Sequence, residues 1–176
     1  MQPRQTELDD ARLAALAQAV AQGMLAAGRR LVTAESCTGG WLAKCLTDIA
    51  GSSQWFERGY VTYSNAAKEQ TLGVAAEVLT TFGAVSRQSA EQMAAGALHA
   101  SGAALAIAIT GIAGPGGGTP DKPVGLVWIA LAMRSKEGGI HSRAEEYRFD
   151  GDREAIRRAS VGAALQLIGA AVRSWR

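Results

Sequence analysis

Three polar turns, each placed directly after an apolar, β-favouring segment, carry the side chains that could do chemistry in this sequence. The first runs from Ser36 to Gly40 and offers a hydroxyl, a thiol and a second hydroxyl before two glycines. The second runs from Ser64 to Lys68, and the third, rich in glycine, runs from Thr110 to Gly118. Because ligands collect at the carboxyl ends of strands in open α/β sheets, we expect these turns to meet at one edge of a sheet.

The first turn supports more than one function. A serine followed by backbone N–H groups at a helix start suits acyl transfer, because the nucleophile then stands beside hydrogen-bond donors for an oxyanion. The same N–H groups can bind an anion without any reaction, and polar residues at such a turn can simply cap the helix. Cys37 is a rival nucleophile because thiolates at helix N-termini are activated, although a small buried cysteine is the commoner case.

A nucleophilic serine needs a base, and neither histidine of the sequence is well placed to serve. His99 lies late in a predicted helix and His141 in a predicted outer strand, where solvated or capping roles are commoner. The sequence also lacks the motifs of P-loop kinases, dinucleotide-binding Rossmann folds, α/β-hydrolases and HExxH metalloproteases.

Lys68 is the best-placed alternative base. Only a neutral amine accepts a proton, and the positive end of the helix predicted to begin near Asn65 would lower the pKa of this lysine. Tyr63, just upstream, could orient the amine or relay a proton. A solvated helix lysine is the competing interpretation, and Lys44 and Lys122 are competing candidates for the base.

The glycine-rich loop around Pro115 has two interpretations. Its N–H groups could form an anion-binding nest for a phosphate, with Arg153 or Lys122 neutralising the charge. Alternatively, it is a long surface connection with solvated charges nearby, although loops of this length are often functional.

Composition and charge exclude several classes of protein. The 176 residues carry a formal net charge of +2 and their basic residues are scattered, so no nucleic-acid-binding face is predicted. The polar, acidic start and the lack of an apolar run of about 18 residues predict neither a signal sequence nor a membrane span. Cys37 and Cys45 lie in or near one helix, a poor geometry for a disulfide. We therefore expect a reduced, cytoplasmic protein, and exposed apolar helices are compatible with a homodimer.

The elements that must position the three turns alternate between strands and helices. Strands are predicted at residues 31–34, 56–64, 103–109, 124–133 and 140–149, the last two forming a hairpin. Helices are predicted at residues 6–27, 41–49, 65–72, 75–82, 86–102 and from 152 onward. The predicted helix caps are Thr6 with Asp9, Asn65, Ser86, and Asp150 or Asp152. This alternation predicts one domain, residues 1–176, folded as a three-layer α/β/α sandwich with a mixed sheet.

Five blocks of the sequence, in this order, resemble the CinA C-terminal domain family. The blocks are Ala34–Gly40, Gly51–Phe56, Gly59–Lys68, Thr110–Gly118 and Lys122–Gly125. The resemblance extends from about Thr6 to the C-terminus, and it is to the stand-alone form of the family rather than to the longer two-domain form.

The resemblance implies hydrolysis of the carboxamide of nicotinamide mononucleotide to nicotinate mononucleotide and ammonia, without a metal or another cofactor. It places the nucleophile on Ser36, the base on Lys68, further catalytic roles on Tyr63 and Ser53, and a substrate contact on Thr110. The N–H groups of Thr38 to Gly40, at the start of the next helix, would then hold the oxyanion. A nucleotide-binding or regulatory module without turnover and a hydrolase of another amide are the alternatives.

The residues expected to bind the substrate lie in the same three turns and at the start of the last helix. They are Thr38, Gly39, Gly40, Asn65, Thr110, Gly111, Gly114, Gly116, Gly117 and Arg153.

Overall fold

The centre of the protein is a mixed sheet of five strands. A computed structural model describes residues 8–175. The strands are β1 (Leu31–Glu35), β2 (Phe56–Val61), β3 (Leu105–Gly111), β4 (Leu126–Arg134) and β5 (Ile140–Arg148). Their order across the sheet is β2-β1-β3-β4-β5. β1 is parallel to β2 and β3, whereas β4 is antiparallel to both of its neighbours, so the predicted mixed sheet is confirmed.

Six helices cover the two faces of the sheet. They are α1 (Asp10–Ala27), α2 (Trp41–Thr47), α3 (Asn65–Leu72), α4 (Ala76–Phe82), α5 (Arg87–His99) and α6 (Arg153–Arg173). One core packs α1, α2 and α6 against alternate strand positions such as Leu31 and Ile107. The other packs α3, α4 and α5 against the intervening positions such as Val32 and Ala106. This alternation between two apolar faces produces the predicted three-layer sandwich.

Several element ends differ from the sequence prediction by a few residues. Asp9 caps α1 through Arg12 N–H, and the predicted contribution of Thr6 lies outside the described residues. Ser64, not Asn65, caps α3, because the Ser64 hydroxyl accepts a hydrogen bond from Ala67 N–H at 3.1 Å. The caps predicted at Ser86 and Asp152 are confirmed.

Helix α6 is the one described helix that meets the length and composition of a membrane span. In the fold, 56% of its apolar window is buried inside the protein. Its buried residues, among them Ile156, Leu165 and Ile168, belong to the core beneath the sheet. The apolar character of α6 is therefore accounted for by its packing as a core helix.

The carboxyl ends of the three parallel strands are joined at one edge of the sheet. Ser36 N–H donates to Ile109 O at 2.9 Å, which ties the first turn to β3. Thr62 N–H donates to Glu35 O at 2.9 Å, which ties the end of β1 to the residue after β2. The three polar turns therefore meet, as their positions after strands predicted.

Candidate active site

A buried lysine and a serine face each other where β1 and β2 end. The Nζ atom of Lys68 lies 3.0 Å from the Oγ atom of Ser36, although 32 residues separate the two in sequence. Lys68 is 1% exposed and Ser36 is 9% exposed. Nζ also donates to two carbonyl oxygens, that of Thr62 at 2.8 Å and that of Tyr63 at 3.3 Å. The lysine amine is thus held from the second turn and points at the hydroxyl of the first.

The surroundings of Lys68 favour its neutral form. Burial lowers the pKa of Lys68, because the ammonium loses more hydration than the amine does. Lys68 forms no ion pair with any of residues 8–175. A neutral amine carries two N–H donors and one lone pair. The carbonyls of Thr62 and Tyr63 can take both donors, which leaves the lone pair for the Ser36 hydroxyl.

The other candidate bases have different partners. Lys44 is exposed and pairs with Asp48 one turn along α2. Lys122 donates to the carbonyl of Phe82 at the surface. His99 and His141 are exposed at the end of α5 and on the edge strand β5, away from the strand ends that carry the pair. Lys68 is therefore the basic side chain that contacts Ser36 in the described chain.

Cys37 lies beside the pair but lacks the properties of an activated thiol. It is 6% exposed, and its burial raises the pKa of the thiol to about 12, with the nearby Glu35 charge acting in the same direction. The thiolate, not the thiol, is the nucleophile, so the raised pKa disfavours Cys37 as the nucleophile at neutral pH.

We therefore expect Cys37→Ala to leave the rate of substrate turnover close to that of the wild type. The substitution deletes only a buried sulfur, and alanine suits the same apolar surroundings. Steady-state rates before and after iodoacetamide treatment of the wild type provide the check. A loss of activity in the variant, matched by inactivation on alkylation, would show that Cys37 and not Ser36 is the nucleophile.

A buried carboxylate organises the turn that carries Ser36, and the sequence analysis did not identify it. Glu35 is completely buried and accepts a hydrogen bond from the Thr38 hydroxyl at 2.6 Å. It also accepts from the N–H groups of Gly40 (3.2 Å), Leu42 (3.1 Å) and Ala43 (2.8 Å) at the start of α2. A carboxylate at a helix N-terminus is stabilised by the helix dipole and by the free N–H groups there. An acidic residue directly before the Ser-Cys-Thr-Gly-Gly turn was the available signal.

These contacts revise the prediction for the oxyanion donors. The N–H of Gly40 donates to Glu35, and the N–H of Gly39 donates to Ser36 O at 3.0 Å. Among the described residues, no acceptor is found for the N–H of Thr38. Of the predicted donors from Thr38 to Gly40, only the Thr38 N–H therefore has no acceptor among the described residues.

Tyr63 and Arg153 connect the second turn to the glycine loop. The Arg153 guanidinium donates to the Tyr63 hydroxyl at 3.0 Å and to Gly114 O at 2.7 Å. Tyr63 contacts Lys68 through its carbonyl, while its side chain is 59% exposed. The Tyr63 hydroxyl, which was predicted to relay a proton, makes no direct contact with the Lys68 amine in the described chain. Arg153 instead links the second turn to the glycine loop.

The remaining predicted binding residues have mixed placements. The Thr110 hydroxyl donates to Ala84 O at 2.8 Å, so it anchors the end of β3 to the segment before α5. A Cβ atom on Gly111 would lie 2.6 Å from a methyl group of Val127, so this glycine is required by the packing of β3 on β4. Three others are exposed: Asn65 at the start of α3, and Gly116 and Gly117 in the third turn.

The structure does not bring Ser53 to the Ser36–Lys68 pair. Ser53 lies in a short 3₁₀ turn, Ser52–Gln54, immediately before β2. Because β1 and β2 are parallel, the start of β2 and the end of β1 lie at opposite edges of the sheet. In this position Ser53 makes no contact with Ser36 or Lys68 in the described part of the chain.

A cleft of about 850 Å³ opens between α1, α2 and α6 on the far side of the first turn. Thr38, Gly39, Gly40 and Arg153 line it, whereas Ser36 and Lys68 do not. This volume is within the usual range for small-molecule sites. No group of three or more metal-binding side chains is placed to hold a metal ion in the described part of the chain.

The fold and the site define a three-layer α/β protein with a buried serine–lysine pair at the carboxyl edge of its parallel strands. Within this class, the family model described as the CinA C-terminal domain matches residues 13–172, and the chain belongs to that family.

Relatives of similar length match nearly the whole chain. The nicotinamide-nucleotide amidohydrolase PncC of Escherichia coli K12 is 51% identical over 161 residues, which are 92% of this chain and 95% of that protein. The crystal structure of the competence/damage inducible protein CihA from Agrobacterium tumefaciens has a TM-score of 0.82 at 50% identity, covering 92% of this chain and 95% of that one. The competence damage-inducible protein A from Klebsiella pneumoniae has a TM-score of 0.85 at 38% identity, covering 93% and 99% of the two chains.

Proposed function

We propose that this protein hydrolyses the carboxamide of nicotinamide mononucleotide, giving nicotinate mononucleotide and ammonia in the salvage of pyridine nucleotides. The observation that carries the proposal is the 3.0 Å approach of a buried lysine amine to a serine hydroxyl. That pair occurs in a chain half identical to a nicotinamide-nucleotide amidohydrolase along almost its entire length. Both cysteines are free thiols, which supports a reducing compartment such as the cytoplasm.

The proposed reaction begins with proton transfer from Ser36 to the neutral amine of Lys68. Ser36 Oγ attacks the amide carbon, and the Thr38 N–H donates to the oxyanion that forms. The C–N bond then breaks as the Lys68 ammonium gives its proton to the departing nitrogen, which leaves as ammonia. In the second half, Lys68 deprotonates a water molecule that attacks the acyl-serine ester. The ester bond breaks, Ser36 recovers its proton and nicotinate mononucleotide is released.

The nucleotide is proposed to lie against Tyr63 and Arg153, which link the second turn to the glycine loop. Tyr63 offers an exposed ring for stacking, and its hydroxyl is fixed by Arg153. Arg153 also supplies a positive charge next to Gly114 at the start of the glycine loop. A guanidinium and loop N–H groups are the ordinary protein ligands of a phosphate. We therefore expect the 5′-phosphate near Arg153 and the loop.

The test of this proposal is ammonia release by the purified protein in the presence of a chelator. Nicotinamide mononucleotide, nicotinamide riboside and nicotinamide serve as three matched substrates. Turnover of the mononucleotide alone supports the proposal and the phosphate site. Binding without ammonia release would leave a nucleotide-binding module, and equal turnover of all three amides would indicate a hydrolase that does not recognise the nucleotide.

The pH dependence follows from the state of Lys68. Burial lowers its pKa, and the reaction needs the unprotonated amine, so kcat/KM is expected to rise with pH until this lowered pKa is passed. The same shift acts on stability. Between the lowered pKa and the ordinary lysine value, the unfolded chain binds more protons, so the free energy of unfolding increases with pH across that interval. A pH profile of kcat/KM measures the first effect. A flat acid limb would contradict the role of Lys68 as the base.

A further inference from the structure

We propose that Arg157 is a positioning residue that fixes the direction of the Thr38 N–H, the donor proposed above for the oxyanion. The proposal rests on the function proposed above and adds a residue that does not touch the reacting atoms. Arg157 lies on α6, about 120 residues from the turn in sequence, and it is half-buried.

The contacts of Arg157 reach two successive carbonyls of the serine turn. Its Nε donates to Cys37 O at 3.1 Å, and one Nη donates to Thr38 O at 3.1 Å. The planar, rigid fork of a guanidinium suits two neighbouring acceptors, whereas a lysine ammonium offers no such geometry. The residue is not part of an ion pair among residues 8–175. Its hydrogen bonds are therefore directed to the backbone of the turn.

The bond to the Cys37 carbonyl orients the Thr38 N–H. The carbonyl of Cys37 and the N–H of Thr38 belong to one peptide group, and in a trans peptide the two point in opposite directions. Holding the carbonyl toward α6 consequently holds the N–H toward the other side of the turn. A rotated peptide would remove the one unoccupied donor among those predicted for the oxyanion.

Glu35 binds Thr38 as well, through the side chain of Thr38. Its carboxylate accepts from the Thr38 hydroxyl at 2.6 Å, but this bond restrains the side chain rather than the peptide group before it. The peptide between Cys37 and Thr38 is thus oriented by Arg157, while Glu35 fixes the start of α2 behind it. The turn itself contains two glycines in the left-handed region, Gly39 and Gly40, at φ 60° and 96°.

The neighbouring Arg158 provides a matched control. Both guanidinium groups lie over the ring of Trp41, at 5.4 Å for Arg157 and 4.9 Å for Arg158. Arg158, however, pairs with Asp10 and Glu154 and does not contact the turn. Removing Arg158 therefore deletes the same charge and a similar aromatic contact, but leaves the turn's carbonyls bound.

The experiment measures kcat and KM for ammonia release from nicotinamide mononucleotide by the wild type, Arg157→Ala, Arg157→Lys and Arg158→Ala. We expect both Arg157 variants to lose kcat by about 10²-fold with little change in KM, because a misplaced donor weakens only the transition state. Arg158→Ala should remain close to the wild type. Guanidinium ion added to Arg157→Ala should restore part of the lost kcat. Nicotinate mononucleotide binding and thermal melting identify folded variants, and Arg157→Lys carries the test if the alanine variant does not fold.

Two results would overturn the inference while leaving the proposed function intact. The first is an unchanged kcat in a folded Arg157 variant of an active enzyme. The second is an increase in KM alone, which would make Arg157 a contact of the substrate in the adjacent cleft. Wild-type protein that binds the mononucleotide but releases no ammonia would instead overturn the proposed function, and the inference with it.

Discussion

Replacing Ser36 by alanine is expected to lower kcat for ammonia release from nicotinamide mononucleotide on the order of 10⁴- to 10⁶-fold, as in other serine hydrolases. The substitution removes the oxygen that lies 3.0 Å from the Lys68 amine, and with it the acyl-enzyme pathway. Binding of the mononucleotide should persist, because the glycine loop, Tyr63 and Arg153 remain. Single-turnover assays with equilibrium binding measured on the same samples would show both effects.

The matched control for this variant is Ser142→Ala. Ser142 is exposed on the edge strand β5, so its hydroxyl deletion leaves the site untouched. Wild-type turnover in Ser36→Ala would exclude this serine as the nucleophile. An inactive Ser36→Ala that also fails to bind would point to a damaged fold, which the melting curve of the variant reports directly.

Replacing Lys68 by methionine is expected to lower kcat by about 10²- to 10⁴-fold, the usual contribution of a general base. Methionine preserves the length and burial of the side chain but has no lone pair for the Ser36 proton. The acid limb of the kcat/KM profile should disappear in this variant, since the group that titrates has been removed. Rates measured across the pH range with the mononucleotide test both statements.

Lys44→Met is the control for Lys68→Met. Lys44 is an exposed lysine paired with Asp48, so its loss costs little in stability and does not change the base. If Lys68→Met kept the wild-type pH profile, another group would be the base. The double variant of Ser36 and Lys68 should be no slower than Ser36→Ala alone, because the two residues act as one unit and their effects are not additive.

The sequence predicted those parts of the fold that depend on neighbouring residues. The apolar run before Thr110 forms the buried central strand β3. Ser86 and Asp152 cap α5 and α6, because a short polar side chain before a helix satisfies free N–H groups locally. The meeting of the three turns was also predictable, since parallel strands end at a common edge. The cap at Ser64 was missed because Ser64 and Asn65 are both suitable caps by type alone.

Contacts between distant segments were not predictable in the same way. No residue near Lys68 in the sequence indicates that the lysine amine contacts Ser36 rather than solvent. The bonds from Arg157 to the serine turn join two ends of the chain, and no spacing rule relates residues so far apart. The position of Ser53 at the opposite edge follows from the direction of β2 relative to β1, which only the assembled sheet specifies.

By itself, the sequence determined the order of strands and helices along the chain, the two apolar faces of the sheet and the residue types offered at each turn. These depend on periodicity, capping and chain stiffness, which act over a few residues. The tertiary structure alone decided that the Lys68 amine meets the Ser36 hydroxyl and that Arg157 binds the serine turn, because these contacts join segments that lie far apart in sequence. The sequence predicted a lowered pKa for Lys68 from the helix start, whereas the structure shows burial as the cause, and this loss of hydration arises only when the whole chain packs around the amine.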